Sequence, residues 1–598
     1  MLQSQENKPT FKVRPEEPAY AFIPPAGAAR LNQHGKAIDL VDPANALAGQ
    51  SLRINNNPVV GDNPNRYKQH GFHFTADNCI GCHACEAACS EKNDLPAHIS
   101  FRSVGYVEGG TYPDFRRVNI SMACNHCDNP VCLKGCPTRA YTKFAEYGAV
   151  LQDPDICFGC GYCTWVCPYN APQLDPIKGQ VSKCNMCVDR LEVGLKPACA
   201  AACLGGALDF GVVETAPENR VQTKLDIPGF PTTDITHPNI RFQQTRELPR
   251  EMRRTDTTPL VYVKQTQDGK TSYKPQLAET QRARQWNLKK LLGSHENAHV
   301  AFTLSAQAVM GAFALLMLPA SAALVALPTL FVMLALMGFG LFRLNMHLGK
   351  PMRFYRGFNN WRLSPVSREI AGVSLFFGGL AGYTFFTLFP GFPGAGLFRP
   401  LTAAAALLGL AFGGYYMIKL YLIPARPYWN HWQTATSFVG TALGLGGLLL
   451  GLMGAALGVI DTALASLLGA AMAAGFGLEA VGLFAHARRM RARGDEGAVA
   501  HFEQTTTYGW PYLVRNGLLG LALALAVVLA ATGQALLLAP IALAAVCSAI
   551  IGRSLFYAVV IPTTMPGAFF WRNKGFAEHA RETGLARVVA AGVLPDAH

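Results

Sequence analysis

The sequence lacks features that mark several common classes of protein. Its first 25 residues contain neither an apolar segment nor a twin-arginine pair, so the sequence predicts no export signal. No basic recognition motif accompanies the formal net charge of +13, and we therefore expect no nucleic-acid partner. Much of the positive excess lies in short loops between apolar runs, where basic residues usually report membrane topology.

The chain of 598 residues changes character near its middle. Up to about residue 297 it is polar and contains most of the cysteines, whereas long apolar runs follow from about residue 298. This change predicts a soluble part followed by a membrane part. The predicted divisions are an irregular N-terminal arm (1–70), a four-cluster ferredoxin domain (71–215), a linker and juxtamembrane segment (216–297), an eight-helix membrane anchor (298–560) and a C-terminal tail (561–598).

Sixteen of the seventeen cysteines fall into four groups of four. In the spacing C-x2-C-x2-C-x3-C, three thiolates wrap one face of a cubane cluster, and the fourth ligates a neighbouring cluster in two-cluster ferredoxins. Four such motifs predict four iron–sulfur clusters that exchange ligands. The groups are Cys79, Cys82, Cys85 and Cys89; Cys124, Cys127, Cys132 and Cys136; Cys157, Cys160, Cys163 and Cys167; and Cys184, Cys187, Cys199 and Cys203.

Disulfides and structural zinc are the competing explanations of clustered cysteine. Disulfides suit exported proteins, and these runs are too dense for the geometry of bridges. Zinc sites use pairs of C-x2-C, but zinc does not explain C-x2-C-x2-C-x3-C followed by proline. Since every cysteine position is filled, His83 and His126 are expected to be loop residues. Cys547 lies in an apolar run and is expected to be a small buried hydrophobic residue.

Eight apolar runs of about twenty residues predict an all-α transmembrane bundle. A soluble protein with eight buried helices of this kind is the alternative, and the number of runs argues against it. Gly and Ala are abundant in the runs, as expected where helices approach closely. The predicted spans are 299–318, 323–344, 369–389, 399–422, 432–456, 461–485, 511–531 and 534–557.

Positive charge marks one side of this predicted bundle. The odd-numbered loops (319–322, 390–398, 457–460 and 532–533) contain no Lys or Arg. By the positive-inside rule the basic side faces the cytoplasm, and an even number of spans places both ends of the bundle there. We therefore expect a multi-pass protein of the inner (cytoplasmic) membrane, with the ferredoxin domain and both termini cytoplasmic. The basic residues of the even-numbered loops and the tail are Lys350, Arg353, Arg356, Arg362, Arg368, Arg426, Arg488, Arg489, Arg491, Arg493, Arg572, Lys574, Arg581 and Arg587.

Over roughly residues 70–215, the chain resembles the four-cluster subunit of dimethyl-sulfoxide-reductase-type molybdoenzymes. The motifs that carry the resemblance are CIGCHACEAACSEKNDL, CNHCDNPVCLKGCP, CFGCGYCTWVCPYNAP and CNMCVDRLEVGLKPACAAAC. It implies two ferredoxin-like βαβ halves related by a pseudo-twofold, with the first motif paired with the fourth and the second with the third. Some relatives replace the cysteine at the position of Cys160 and hold a three-iron cluster, so four [4Fe-4S] clusters are implied here. The implied ligand sets are Cys79, Cys82, Cys85 and Cys203; Cys184, Cys187, Cys199 and Cys89; Cys157, Cys160, Cys163 and Cys136; and Cys124, Cys127, Cys132 and Cys167.

The apolar half resembles the membrane anchor subunit of the same reductases. The stretches that match are HLGKPMRFYRGFNNWRLSPVSREIAGVSLFF and IGRSLFYAVVIP. The resemblance places a quinone site, for menaquinone or ubiquinone, at His347 and Glu369. From the residues alone, His347 would be an interfacial residue at a helix end, and Glu369 a charge that complements a helix dipole. The chain thus resembles a fusion of two subunits that are usually separate polypeptides.

The fusion and the charge bias together imply a catalytic site on the cytoplasmic face, as in the membrane-bound sulfite dehydrogenases of this family. In the best-known members, the cluster subunit is instead exported with its catalytic partner. The histidines in or next to the predicted spans (His299, His347, His431 and His486) lie near the basic side, which argues against a haem ladder across the membrane. Glu479 and Arg553 are weaker site candidates, because pairing between helices would explain them equally well.

The sequence, with these resemblances, predicts an electron-transfer and membrane-anchor subunit in anaerobic or sulfur respiration. It would connect membrane quinone, within the lipid bilayer, to a separate molybdopterin-containing catalytic subunit of the sulfite-dehydrogenase or sulfoxide-reductase type. No pterin-binding domain is evident in the sequence, so the reaction of the final substrate would occur on that partner. The alternative is a membrane-bound ferredoxin that exchanges electrons between quinone and soluble carriers without a molybdenum partner.

Overall fold

The computed structural model describes residues 13–23, 37, 65–96, 98–214, 227–254, 259–267, 270–278, 281–294 and 296–561. The chain divides after Ala278 into two compact units, and the second extends from Glu279 to Ile561. Sheets and short helices make up the first unit, and long helices make up the second. Most of the predicted arm (1–70) and nearly all of the predicted tail (561–598) lie outside the described residues.

In the residues described, the first unit contains twelve strands and five short α-helices. Its strands are β1 (His70–Thr75), β2 (Arg102–Gly109), β3 (Arg116–Ala123), β4 (Tyr141–Lys143), β5 (Val150–Gln152), β6 (Gln173–Asp175), β7 (Gln180–Ser182), β8 (Leu208–Val212), β9 (Ile240–Gln243), β10 (Glu251–Arg254), β11 (Leu260–Gln267) and β12 (Lys270–Leu277). Its helices are α1 (Ala84–Lys92), α2 (Val131–Gly135), α3 (Tyr162–Val166), α4 (Val188–Leu191) and α5 (Ala198–Ala201).

Two larger sheets organise this unit, with the strand orders β8-β1-β9 and β12-β11-β10-β2-β3. In the first sheet, Phe72 pairs with Phe210 across an antiparallel ladder and with Ile240 across a parallel one. All three side chains are buried, so the sheet lies in the core. Helix α1 packs on α5, and α2 packs on α3. Since these helices carry cysteines of the four motifs, the first motif meets the fourth and the second meets the third.

Strands also form beyond residue 215, where the sequence predicted a linker. Strand β9 joins β1, and β10 extends the sheet of β2 and β3. Arg241 of β9 is buried and pairs with Glu214, at 2.9 Å between Nε and Oε1. An Asp268-Gly269 pair between β11 and β12 is a hairpin signal in the sequence. The first unit therefore continues to Ala278, because strands far apart in the chain complete its sheets.

The described part of the N-terminal arm packs on its own unit. The Ile23 amide donates to the Gly194 carbonyl at 2.8 Å, and the Lys196 amide donates to the Ala21 carbonyl at the same distance. Glu17 lies 3.7 Å from the Arg190 guanidinium. The sequence left open what this arm contacts, and residues 13–23 lie against the loop that follows α4.

Eight helices of the second unit are long and apolar enough to cross a membrane, which confirms the predicted number. The predicted fold class, a ferredoxin-type region followed by an eight-helix bundle, is therefore confirmed. After the short helix α6 (Leu288–Leu292), the spans are α7 (Asn297–Leu316), α8 (Leu327–His347), α9 (Pro365–Leu388), α10 (Ala395–Lys419), α11 (Gln433–Leu457), α12 (Thr462–Ala492), α14 (Gly509–Thr532) and α15 (Leu538–Ala558), with a short helix α13 (Glu496–Thr505) between α12 and α14.

Small residues allow close contacts within the bundle, as their abundance predicted. A Cβ added at Gly372 of α9 would lie 2.4 Å from the backbone of Gly413 in α10. One added at Gly311 of α7 would lie 1.8 Å from the carbonyl oxygen of Ala442 in α11. No side chain fits at either position, so these helix pairs touch along their backbones.

The helix ends differ from the predicted spans for local reasons. Helix α8 begins at Leu327 rather than near 323, because residues 319–324 form a separate 3-10 turn. Helix α12 continues past the apolar run to Ala492, so it carries Arg489 and Arg491 on its last turn. Helix α13, which the sequence did not predict, is capped by Asp495, whose Oδ1 accepts from the Gly497 amide at 3.0 Å.

Candidate functional site

The first cysteine motif and the end of the fourth line one cavity of about 380 Å³. The loop turns through Gly81, whose φ of 69° lies in the left-handed region. Asn119 holds this loop by donating from Nδ2 to the Cys79 carbonyl at 2.8 Å. The cysteines that line the cavity, which we call site I, are Cys79, Cys82, Cys85 and Cys203.

A second cavity of nearly equal size, about 370 Å³, lies between the second motif and the end of the third. Tyr169 and Lys183 contribute to its wall. Each of the two cavities is thus lined by four cysteines from two motifs. The cysteines of this cavity, which we call site IV, are Cys124, Cys127, Cys132 and Cys167.

Electrostatic effects between thiols identify two further groups. Burial raises the pKa of the Cys89 thiol, and the charges of three other cysteines raise it further. The pKa of the Cys163 thiol is raised in the same way, by burial and then by three other cysteines. These groups are site II (Cys89, Cys184, Cys187 and Cys199) and site III (Cys136, Cys157, Cys160 and Cys163). The structure thus brings together the cysteines of each set that the resemblance implied, and the assignment of one cluster to each set stays a prediction.

The spacing of the sulfurs distinguishes a cluster from a single metal ion. Four thiolates on one zinc ion, at about 2.3 Å each, would lie about 3.8 Å from one another. All sixteen motif cysteines are among the described residues, and no three of their sulfurs lie within 4.8 Å of one another. None of them forms a disulfide. The cavities therefore fit a group larger than one ion, such as a cubane of iron and sulfide.

The thiols also need a cation before they can ionise. Burial raises the pKa of Cys127 to about 12 and that of Cys167 to about 11. Each would therefore keep its proton at neutral pH, because a raised pKa favours the neutral thiol. A bound metal replaces that proton, and all-sulfur ligands suit iron–sulfur chemistry.

His126 lines the cavity of site IV, yet its hydrogen bonding argues against a ligand role. Its Nδ1 accepts a hydrogen bond from the Val150 amide at 3.0 Å. Burial lowers the pKa of the imidazole well below its usual value, so the ring is neutral and its proton lies on Nε2. That nitrogen is a donor and has no free lone pair for a metal. His83 forms a 2.7 Å contact with Glu86 instead, so both behave as the loop residues that were expected.

In the second unit, His347 at the end of α8 lies beside an acid and a second histidine. Its ring centroid is 4.6 Å from that of His299, and His299 Nδ1 is 2.9 Å from Glu296 Oε2. Ligand atoms of the three lie within 4.8 Å of one another, a spacing that suits a divalent cation or proton exchange. The two rings are too close to accept a porphyrin between them, so they are not the axial pair of one haem.

Glu369 lies in α9, the helix that packs against α8. Its side chain is buried near the start of that helix. Tyr421 and Tyr557 share a hydrogen bond of 2.7 Å between their hydroxyls. The Tyr557 ring lies 5.7 Å from that of His299. His347, His299, Tyr557 and Tyr421 thus form one chain of contacts, and Glu369 is buried in the helix beside α8.

Sequence reasoning did not assign four members of this cluster to the site: Glu296, His299, Tyr421 and Tyr557. The Glu-x-x-His spacing of the first two, which puts them on one face of a helix start, was a signal that could have found them. The tyrosines gave no such signal, because 136 positions separate them in the sequence.

Glu479 and Arg553 join a buried network that ties five helices together. Glu479 Oε1 accepts from Arg515 Nη2 at 2.5 Å. Arg553 Nη2 donates to Gln307 Oε1 at 2.8 Å and lies 3.4 Å from Thr441 Oγ1. Pairing between helices thus accounts for both of these candidates.

Arg515→Met is expected to destabilise the bundle by about 3–5 kcal/mol, because it leaves the Glu479 carboxylate buried without its counter-charge. The double variant Glu479→Gln/Arg515→Met should cost less than the single one, since no charge is then left unpaired. Lys419→Met at the exposed end of α10 is the control and should change stability by less than about 0.5 kcal/mol. Unfolding of the purified protein in detergent measures all three. Equal losses in the single and double variants would contradict this account.

Comparison with known proteins assigns both halves of the chain. Residues 117–213 match the family described as a 4Fe-4S dicluster domain. This matched segment includes three of the four cysteine motifs. Residues 291–559 match the family described as the DMSO reductase anchor subunit, which includes all eight spans. Iron–sulfur clusters in the first unit and a multi-pass membrane anchor in the second follow from these matches.

Curated relatives align with the cysteine-rich half. One polypeptide of the anaerobic dimethyl sulfoxide reductase of Haemophilus influenzae is 39% identical over 182 residues, which cover 29% of this chain and 88% of the relative. One polypeptide of the sulfite dehydrogenase of Allochromatium vinosum is 37% identical over 168 residues, 25% of this chain and 70% of the relative. One polypeptide of the tetrathionate reductase of Salmonella typhimurium is 38% identical over 149 residues, 25% of this chain and 59% of the relative.

Proposed function

Given that this chain belongs to the dimethyl sulfoxide reductase family, as an iron–sulfur subunit and an anchor subunit in one polypeptide, we propose the route that electrons take through it. Four [4Fe-4S] clusters, held at sites I to IV, connect the membrane quinone pool with a separate molybdopterin-containing catalytic subunit. The observation that carries the proposal is the division of sixteen cysteines into four sets too widely spaced for single ions. When bound, such clusters accept and release electrons one at a time.

The buried cluster around His347 and Glu369 is the proposed quinone site. Oxidation of a quinol releases two electrons and two protons, so the site must accept protons as well as bind the ring. The His347 imidazole and the Glu369 carboxylate supply one acceptor each. His299 and Glu296 continue from His347 and give one proton a path of titratable groups. Tyr421 and Tyr557 add a hydrogen-bonded pair of hydroxyls, and the Tyr557 ring lies 5.7 Å from that of His299.

Anaerobic mixing with a quinol tests this function directly. A reduced menaquinone analogue is expected to bleach the visible absorbance of the purified complex, because electrons enter the iron–sulfur clusters. Dithionite serves as the control that reduces the clusters without the quinone site. A complex that dithionite bleaches and the quinol does not would refute the proposed route.

The second candidate function is a membrane-bound ferredoxin that exchanges electrons with soluble carriers. The iron–sulfur half alone would suit it. The names of the relatives describe polypeptides of a reductase and a dehydrogenase, which favours a dedicated catalytic partner of the sulfite-dehydrogenase or sulfoxide-reductase type. Co-purification of a large molybdenum protein separates the two functions.

The loops of the bundle support a cytoplasmic position for the first unit, in an inner (cytoplasmic) membrane. Between α8 and α9 they carry Lys350, Arg353 and Arg356, whereas 317–326, 389–394, 458–461 and 533–537 on the other side contain no Lys or Arg. The first unit precedes α7, which begins on the basic side. His347 and Glu369 also lie near this side. The proposed quinone site and the catalytic partner thus share one face of the membrane.

Turnover in proteoliposomes should therefore generate little voltage, because protons are released and consumed on the same side. A protonophore is expected to leave the rate of quinol-linked turnover unchanged. A voltage-sensitive dye provides the measurement, and a known voltage-generating oxidase in matched vesicles provides the control. Turnover that builds a voltage and accelerates with the protonophore would place the two reactions on opposite faces.

A further inference from the structure

Arg102 is a buried guanidinium beside the cysteine sites. It begins β2 and is only 1% exposed. Its Nη1 donates to Ser121 Oγ at 3.0 Å and to the Ser121 carbonyl at 3.2 Å. Ser121 Oγ in turn lies 3.3 Å from Cys85 Sγ of site I. The guanidinium carbon is 4.4 Å from the centroid of the Phe72 ring, so one face of this charge contacts hydrocarbon.

Two other buried arginines of this unit have carboxylate partners: Arg66 pairs with Glu192 at 3.0 Å, and Arg241 pairs with Glu214. The environment of Arg102 is different, because its Nε and Nη2 are buried without a hydrogen-bond partner among the described residues. A guanidinium in such a place is costly unless an anion faces it. The charges that act most strongly on it are those of cysteines from two sites, Cys85 of site I and Cys199, Cys184 and Cys89 of site II.

Lys183 occupies a similar place between sites II and IV. Its side chain is buried and lines the cavity of site IV. Its Nζ donates to the carbonyls of Val150 and Cys184, the latter at 2.8 Å. The charges that act on it are those of Cys124 and Cys132 of site IV and of Cys184 of site II.

The surroundings of site III and of a nearby lysine provide the contrast. Lys143 also approaches site IV, but its Nζ lies 3.5 Å from Asp128 Oδ1, which offsets its charge. At site III, the Gly159 amide donates to Cys157 Sγ at 3.3 Å. The groups that act on Cys163 are other cysteines and the neutral hydroxyl of Tyr141. Site II therefore lies beside both Arg102 and Lys183, the two cations without a carboxylate partner. Site I lies beside Arg102, and site IV lies beside Lys183. In these contacts, site III has only neutral neighbours.

We propose that Arg102 and Lys183 set the order of the cluster reduction potentials, each by holding one positive charge between two adjacent cluster sites. Reduction adds an electron, and a nearby cation in a poorly polarisable interior stabilises the added negative charge. Each residue therefore raises the potentials on both of its sides, and the two effects coincide at site II. Arg102 and Lys183 act on the clusters through their charges and do not coordinate iron. The inference rests on the four-cluster function proposed above.

Redox titration of the purified complex, followed by electron paramagnetic resonance, tests this assignment. Arg102→Gln is expected to lower two of the four midpoint potentials, those of sites I and II, and Lys183→Gln those of sites II and IV. Each of these midpoint potentials should fall by at least about 59 mV, which corresponds to a tenfold smaller equilibrium constant for a one-electron reduction. The charge-keeping variants Arg102→Lys and Lys183→Arg should stay close to the wild type. Lys143→Gln, which removes a compensated charge, is the matched control.

Unchanged potentials in both neutral variants, at full iron content, would overturn the proposal. Equal shifts in the neutral and charge-keeping variants would also overturn it, because geometry rather than charge would then be responsible. Loss of iron from both neutral variants would assign the two cations to cluster assembly and likewise overturn a role in setting potentials. Wild-type protein with zinc or far fewer irons would instead remove the four-cluster function, so the two failures are distinguishable.

Discussion

Replacement of Cys184 with serine is expected to abolish electron transfer between quinol and the catalytic partner. Cys184 belongs to site II, whose cysteines come from the first and fourth motifs. Site II lies beside Arg102, which it shares with site I, and beside Lys183, which it shares with site IV. A serine oxygen is a poor substitute for a thiolate in such a cluster. Iron content should fall by one cluster, from about sixteen to about twelve per chain, and quinol-linked turnover should fall to background.

Cys547→Ser is the matched control, because Cys547 is the one cysteine outside the four motifs. It lies half-buried in α15, less buried than the sequence predicted. This variant should keep its iron and its turnover. A Cys184→Ser protein that retains both would contradict the assignment of site II, and an iron loss in Cys547→Ser would contradict the restriction of clusters to the four motifs.

Glu369→Gln is expected to suppress quinol-linked turnover by at least about a hundredfold, because the amide keeps the shape of the side chain but no longer accepts a proton. Turnover with a reduced viologen dye, which donates electrons to the iron–sulfur clusters without the quinone site, should remain close to wild type. The ratio of the two activities, measured on the same membranes, isolates the quinone step from assembly of the complex.

The matched control is His486→Gln in α12, another buried ionisable residue near the basic side. Its Nε2 lies 2.9 Å from the Tyr428 carbonyl, a contact that explains its burial structurally. We expect both activities of this variant to stay near wild type. If Glu369→Gln loses dye-linked and quinol-linked turnover in parallel, Glu369 supports the fold, and the quinone assignment fails.

The features that the sequence predicted depend only on residues that are close together in the chain. Cysteines two and three residues apart make a motif regardless of what the rest of the protein does. Apolar runs of about twenty residues likewise predict spans, because the thickness of a bilayer sets their length. Thus the eight helices and the four cysteine motifs follow from patterns that a reader of the sequence can count, whereas the sharing of cysteines between motifs was implied only by the family resemblance.

Features that depend on distant partners were not predictable in this way. Strand β9 pairs with β1 about 170 positions earlier in the sequence, so residues 240–243 carry no local sign of the sheet that they complete. In the sequence, nothing distinguishes Arg102 from other strand residues. Only the fold brings Ser121 and the cysteines of two motifs close to it. Tyr421 and Tyr557 meet only when α15 packs into the bundle.

Elemental analysis of the complex, purified from native membranes through a tag on this chain, tests the central claim most directly. We expect about sixteen irons and about one molybdenum per chain, with little zinc, because four [4Fe-4S] clusters and one molybdopterin partner accompany each polypeptide. Little iron with stoichiometric zinc would contradict the electron-transfer function. Sixteen irons without molybdenum would contradict the catalytic partner and favour the membrane-bound ferredoxin instead.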